Sequence, residues 1–165
     1  MYVFDTNSLS IILKHYYPKR FPSLWNRVNE MLRNGTIILV RESYNEIINF
    51  NARKDPVKPI VKDRPTQWAK KNKRLFFAPS AEELQFVNEI FAVAHFQQLI
   101  EMQKILSGRP VADPFVIAKA KVEHGIVVTE ESYKENAAKI PNVCEHFGIE
   151  CINLEDFMQK ENWQF

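Results

Sequence analysis

Apolar residues along this chain alternate between two arrangements. Some form short unbroken runs, which read as buried strands; others recur every three or four positions, which reads as amphipathic helix. Tyr2-Val3-Phe4 is the first run, and it ends at Asp5. A polar turn, Thr6-Asn7-Ser8, leads into a helix with Leu9, Ile12 and Leu13 on one face. Pro18 and Pro22 interrupt the chain. A second helix is expected over residues 23–33, with Leu24, Val28, Met31 and Leu32 as its stripe and Gly35 at its C-terminal stop. Residues 36–40, Thr-Ile-Ile-Leu-Val, are β-branched and aliphatic and predict a fully buried strand. A third helix follows over about residues 42–51.

The second half repeats the alternation. Residues 55–65 hold Pro56, Pro59 and Pro65 among charges and predict a loop or lid. Trp68 lies just beyond, either as a core anchor or as a platform for a base. Ser80 and Glu83 have capping-box spacing ahead of a helix with Leu84, Val87, Ile90 and Phe91. More helix is expected through Phe96, Leu99, Ile100 and Ile105, closed by Gly108 and Pro110. Asp113 then reads as an N-cap and Pro114 as the first residue of a helix that Gly125 ends. Residues 126–129 predict a short apolar strand. A short helix, a strand at Cys151-Ile152 and a helix from Leu154 complete the chain. Strands alternating with helices imply an α/β three-layer sandwich around a mostly parallel sheet. With 165 residues, one domain over residues 1–165 is expected.

Composition narrows the class. The hydrophobic fraction is 45% and the charged fraction 25%, ordinary values for a folded domain. No apolar run approaches the ~18 residues of a membrane span, and the first residues lack a signal-peptide layout, so a cytoplasmic protein without membrane contact is expected. Cys144 and Cys151 have no zinc-ligand spacing and read as reduced thiols. Net charge is +2, but residues 53–74 alone carry +7 and the remainder −5. That segment is expected to be a basic insertion of loop and helix within residues 55–74. Its Arg53, Lys54, Lys58, Lys62, Arg64, Lys70, Lys71, Lys73 and Arg74 are candidates for binding a polyanion.

The candidate chemistry lies in where certain acids fall relative to the strands. Asp5 ends the first strand, Glu131 lies just past the strand at 126–129, Asp113 opens the helix feeding that strand, and Glu46 lies about one turn into the third helix. In a parallel sheet, ligands collect outside the carboxyl ends of the strands, so these acids can converge on one edge. Carboxylates grouped without cationic partners repel unless a metal ion resolves them, and an all-oxygen set suits Mg²⁺ or Mn²⁺. Taken singly, each has a plainer reading: Asp113 as a cap, Glu46 on a solvated face, Glu131 favouring a helix start. Glu130 competes with Glu131, which spacing favours.

These residues resemble the PIN-domain family, and within it the VapC-type toxins. The likeness rests on Phe4-Asp5-Thr6-Asn7-Ser8, Ser43-Tyr44-Asn45-Glu46-Ile47, the Ala112-Asp113 step with the alanine-bearing helix after it, and Val127-Val128-Thr129-Glu130-Glu131. Ile140-Pro141-Asn142-Val143-Cys144 further resembles the ending of a PIN-like bacterial branch. Three features depart from the family: Glu131 stands where Asp is usual, residues 56–74 are longer and more basic, and Pro follows Asp113. The resemblance implies a metal-dependent endoribonuclease in which Asp5, Glu46, Asp113 and Glu131 hold Mg²⁺ or Mn²⁺. It implies that Asn7 and Thr129 orient the acids or the attacking water, and that the cut leaves 5′-phosphate and 3′-hydroxyl ends. An antitoxin protein and homodimerisation are implied as well. The alternatives are a PIN-fold module that grips nucleic acid or protein without cutting, an aspartyl-phosphate enzyme using Asp5, and a domain whose acids are structural. Against the second, Asn7 stands where such enzymes carry a second Asp.

Overall fold

The computed structural model describes residues 1–52, 64–99 and 111–164. Its sheet has five strands: β1 (Tyr2–Phe4), β2 (Ile37–Val40), β3 (Phe76–Phe77), β4 (Ile126–Val128) and β5 (Cys151–Ile152). They run in the order β3-β2-β1-β4-β5, and every pairing is parallel. Among the described residues there are eight α-helices: α1 (Thr6–His15), α2 (Pro22–Arg33), α3 (Arg41–Ala52), α4 (Arg64–Lys71), α5 (Ala81–Ala92), α6 (Asp113–Val122), α7 (Ile140–Phe147) and α8 (Leu154–Lys160). None is long and apolar enough to cross a membrane.

Period-two alternation in the strands divides the core into two layers. Tyr2 and Phe4 point to one face with Ile37, Leu39 and Val128, where the apolar residues of α1, α2, α3 and α8 cover them. Val3, Val40 and Val127 point to the other, under α5, α6 and α7. The result is the expected three-layer α/β/α arrangement. Phe157 of α8 is fully buried and meets Tyr2, Phe4 and Trp163 edge-on at ring separations of 4.8, 5.1 and 5.1 Å. Such pairs contribute about 0.5–1.5 kcal/mol each beyond burial.

Several local expectations change. Residues 64–65, expected in the loop, begin α4. Trp68 packs between Trp25 and Phe76 at 6.4 and 6.2 Å, so it anchors the core rather than offering a face to a base. The edge strand β3 is not expected from the sequence, because two residues are too few for a periodic signal. Ser80 caps α5 through Glu83 N–H, but the Glu83 carboxylate pairs with Lys119 at 2.8 Å instead of closing a capping box. Leu84 is exposed, and Phe86 takes its place on the buried face of α5. At Gly35 the left-handed φ of +78° fits the C-terminal stop. After α6 it is His124 that turns left-handed. Gly125 answers a different need: a Cβ there would stand 2.8 Å from the Met1 side chain and 3.2 Å from its carbonyl oxygen. Cys144 and Cys151 are both free thiols. The loop from Asp55, the segment with Ile100, Ile105, Gly108 and Pro110, and the side chains of Arg53, Lys54, Lys58 and Lys62 lie outside the described residues.

Candidate functional site

Strand order fixes where a site can form. From β1 the sheet grows through β2 and β3 on one side, and the chain then returns to build β4 and β5 on the other. The direction of winding therefore reverses between β1 and β4, and the crevice beyond their carboxyl ends is where open parallel sheets bind ligands. Phe4 pairs with Val128, and Asp5 N–H donates to the Val128 carbonyl at 2.9 Å. Asp5 and Thr129 consequently emerge side by side at that crevice.

Asp5 is buried and occupies the N-cap position of α1, yet its side chain makes no capping bond. Its Oδ2 accepts a hydrogen bond from Thr129 Oγ1 at 3.0 Å. Burial pushes its pKa up to about 6, opposed by the Thr129 bond and reinforced by the charges of Glu46 and Glu131. Asp113 keeps part of its surface open but is closely surrounded by protein atoms. Its carboxyl is held well above the usual range by burial first, then by the charges of Asp5, Glu46 and Glu131. Asp113 is the first residue of α6 rather than its cap, and Ala112, in the cap position, makes no side-chain capping bond. The plain capping role therefore does not account for Asp113.

Glu46 is fixed at both oxygens. Thr6 Oγ1 donates to Oε2 at 2.6 Å and the Ala112 backbone N–H to Oε1 at 2.9 Å, tying α3 to the starts of α1 and α6. Glu131 is placed by two bonds. Its N–H donates to Thr129 Oγ1 at 3.2 Å, and its Oε2 accepts from Ile140 N–H at 3.0 Å, at the start of α7. Glu130 turns away: it is exposed, and its Oε1 accepts from Leu154 N–H at 2.9 Å, at the start of α8. The structure thus brings Asp5, Glu46, Asp113 and Glu131 within electrostatic reach of one another, and Glu130 belongs to a different helix start.

Asn7 is exposed at the start of α1, and no hydrogen bond joins it to these acids among the described residues. Thr129 does hold Asp5, and Thr6, which sequence reasoning passed over as part of a polar turn, holds Glu46. Of the basic candidates, Arg64, Lys70, Lys71, Lys73 and Arg74 are exposed on α4 and the turn after it. Arg64 stacks its guanidinium 3.6 Å over the Tyr17 ring, and Lys73 lies 5.6 Å from the Tyr44 ring. Thr66 donates to the Ile47 carbonyl at 3.3 Å, which docks α4 one residue from Glu46.

No Lys or Arg forms an ion pair with Asp5, Asp113 or Glu131 among the described residues. Nor, among those residues, do any three His, Cys, Asp or Glu side chains stand in ready-made ligand geometry. The donor chemistry nonetheless fits a hard divalent cation. Two of the carboxyls, Asp5 and Asp113, are driven toward their protonated forms by burial and by neighbouring carboxylates, and a bound cation would reverse that. Mg²⁺ commonly takes only one or two carboxylates and keeps several waters, so a closed cage of protein ligands is not required.

No curated protein and no solved structure matches this chain. A family model, described as a domain of unknown function (DUF4411), matches residues 2–165. Because that match runs over nearly the whole length, the chain belongs to this family of unknown function.

Proposed function

We propose that this chain is a metal-dependent endoribonuclease of the PIN type, acting in the cytoplasm as the toxin of a toxin–antitoxin pair. The observation that carries the reading is the meeting of Asp5, Glu46, Asp113 and Glu131 at the sheet's switch point, where the carboxyls of Asp5 and Asp113 are destabilised as anions. In this reading those four acids hold Mg²⁺ or Mn²⁺. The ion would supply positive charge to the phosphodiester and make a water more acidic. Thr129 keeps Asp5 oriented, while Thr6 and the Ala112 N–H keep Glu46 oriented. Exposed cations on and after α4 hold the RNA backbone by charge. An inhibitory partner protein and self-association belong to the same proposal.

The deciding experiment incubates purified protein with mixed RNA and Mn²⁺, alongside EDTA and Asp113→Asn controls, and maps the cut ends. The expected result is cleavage with 5′-phosphate and 3′-hydroxyl ends, abolished by EDTA and lost in the variant. A second reading, a PIN-fold binding module, draws on Glu131, whose Oε2 is already engaged by the Ile140 N–H. RNA binding unchanged by Asp5→Asn, with no cleavage in any divalent metal, would favour the module.

A further inference from the structure

On the outer side of Glu131 an open groove of about 430 Å³ runs between α1 and the segment after β4. Asn7, Ser10 and Lys14 line it from α1. Their spacing of three and four residues puts them in one stripe on the helix, leading from the end next to Asp5 toward its C-terminus over about 10 Å. Ser132 and Lys139 line the opposite wall with Glu130 and Glu131. Those two carboxylates are bonded to the Leu154 and Ile140 N–H groups, at the starts of α8 and α7. Lys14 and Lys139, in contrast, form no ion pair among the described residues. The groove therefore sets two ammonium groups, an amide and two hydroxyls beside the two carboxylates, and it shares Glu131 with the acidic crevice.

We propose that this groove is a substrate subsite in which Lys14 and Lys139 grip phosphates of the RNA strand flanking the bond that is cut. Asn7, Ser10 and Ser132 supply neutral donors to the same phosphates or to ribose hydroxyls. The subsite is separate from the basic 53–74 segment, and it rests on the nuclease reading. It gives the strand a defined exit along α1, with the two carboxylates of the groove taken up by backbone N–H groups.

The test measures affinity for a fluorescent mixed-sequence single-stranded RNA in Mg²⁺ across a salt series, using the non-cleaving Asp113→Asn protein. Adding Lys14→Gln with Lys139→Gln is expected to weaken binding at least tenfold. The slope of log K against log salt should fall by about 1.4, or about 0.7 per phosphate held. Lys14→Arg with Lys139→Arg should keep both, and Lys19→Gln, on the exposed turn after α1, should change the affinity little. An unchanged affinity and slope in the glutamine variant, together with Mn²⁺-dependent cleavage by the wild-type protein, overturns the subsite and leaves the nuclease reading standing. A wild-type protein that cuts no RNA overturns both. Lys14 is exposed, so Lys14→Gln alone keeps the test available should the double variant fail to fold; a slope unchanged in that single variant counts against the subsite equally.

Discussion

At Asp5, burial and neighbouring charge act together on one carboxyl, and the sign of the effect on stability follows. Its folded pKa is about 6 against an ordinary 3.8. A raised carboxyl stabilises the folded state in its protonated form, so the contribution is fully present below 3.8 and is lost as pH rises through about 6. The two-unit displacement corresponds to about 3 kcal/mol. In EDTA, Asp5→Asn should therefore match wild type near pH 4 and exceed it progressively up to pH 7.5, as measured by urea unfolding at each pH. In Mn²⁺ the wild type should recover and the variant should not. Parallel stability curves in EDTA would show that the carboxyl is not strained. The two adjacent glutamates separate by a similar comparison. Glu131→Gln should reduce cleavage at least a hundredfold while leaving the melting temperature within a few degrees. Glu130→Ala should lower stability by about 1 kcal/mol, the worth of its hydrogen bond at the start of α8, and leave cleavage near wild type. Spacing in the sequence already favoured Glu131, and Glu130 is engaged at the start of α8 through the Leu154 N–H. Thr6 stayed hidden because a hydroxyl's partner across 40 residues of sequence leaves no local pattern.

Between elements, a buried ion pair lies away from the acids. Lys119 of α6 is buried against Glu83 of α5 at 2.8 Å and also reaches Glu123 at 3.3 Å. Burial alone would lower the Lys119 pKa, but the hydrogen bond and charge of Glu83 outweigh it and raise it. Lys119→Met would leave the Glu83 carboxylate buried without its cation, which costs about 3–5 kcal/mol. Glu83→Leu combined with Lys119→Met should recover most of that loss, and a double-mutant cycle in urea measures the coupling. Strictly additive losses would mean the pair is not coupled. This pair also shows the limit of reading elements from sequence. The Ser80 and Glu83 spacing located the start of α5 correctly, yet local spacing cannot reveal that a buried lysine on another helix claims the glutamate. β1, β2, β4 and β5 were legible because apolar runs are dense there, while β3 contributes two residues with only Phe76 buried.

Across the whole molecule, the site depends on an order of strands that no periodicity encodes. Parallel pairing followed from strands alternating with helices, but the placement of β4 against β1, which brings Thr129 beside Asp5, is a property of the assembled sheet. The same assembly relates charge to chemistry. α4 is docked through Thr66 on α3, so the exposed Lys70 and Lys71 on α4, and Lys73 and Arg74 on the turn after it, follow an element fixed to the helix that carries Glu46. On the nuclease reading, basic residues held this way would serve a polyanion running past the acids, whereas a freely solvated charge run would have no fixed relation to them. Neutralising those four residues together should weaken single-stranded RNA binding without changing where the RNA is cut. The salt slope should fall by about 0.7 for each phosphate that the protein no longer neutralises, and cleavage at saturating RNA should persist because the acids are untouched. Binding isotherms across a salt series, paired with end-mapping of the products, read both quantities. A changed cut position would mean that α4 selects sequence; an unchanged slope would mean that the strand crosses the molecule elsewhere, and that the uneven charge distribution serves some other polyanion.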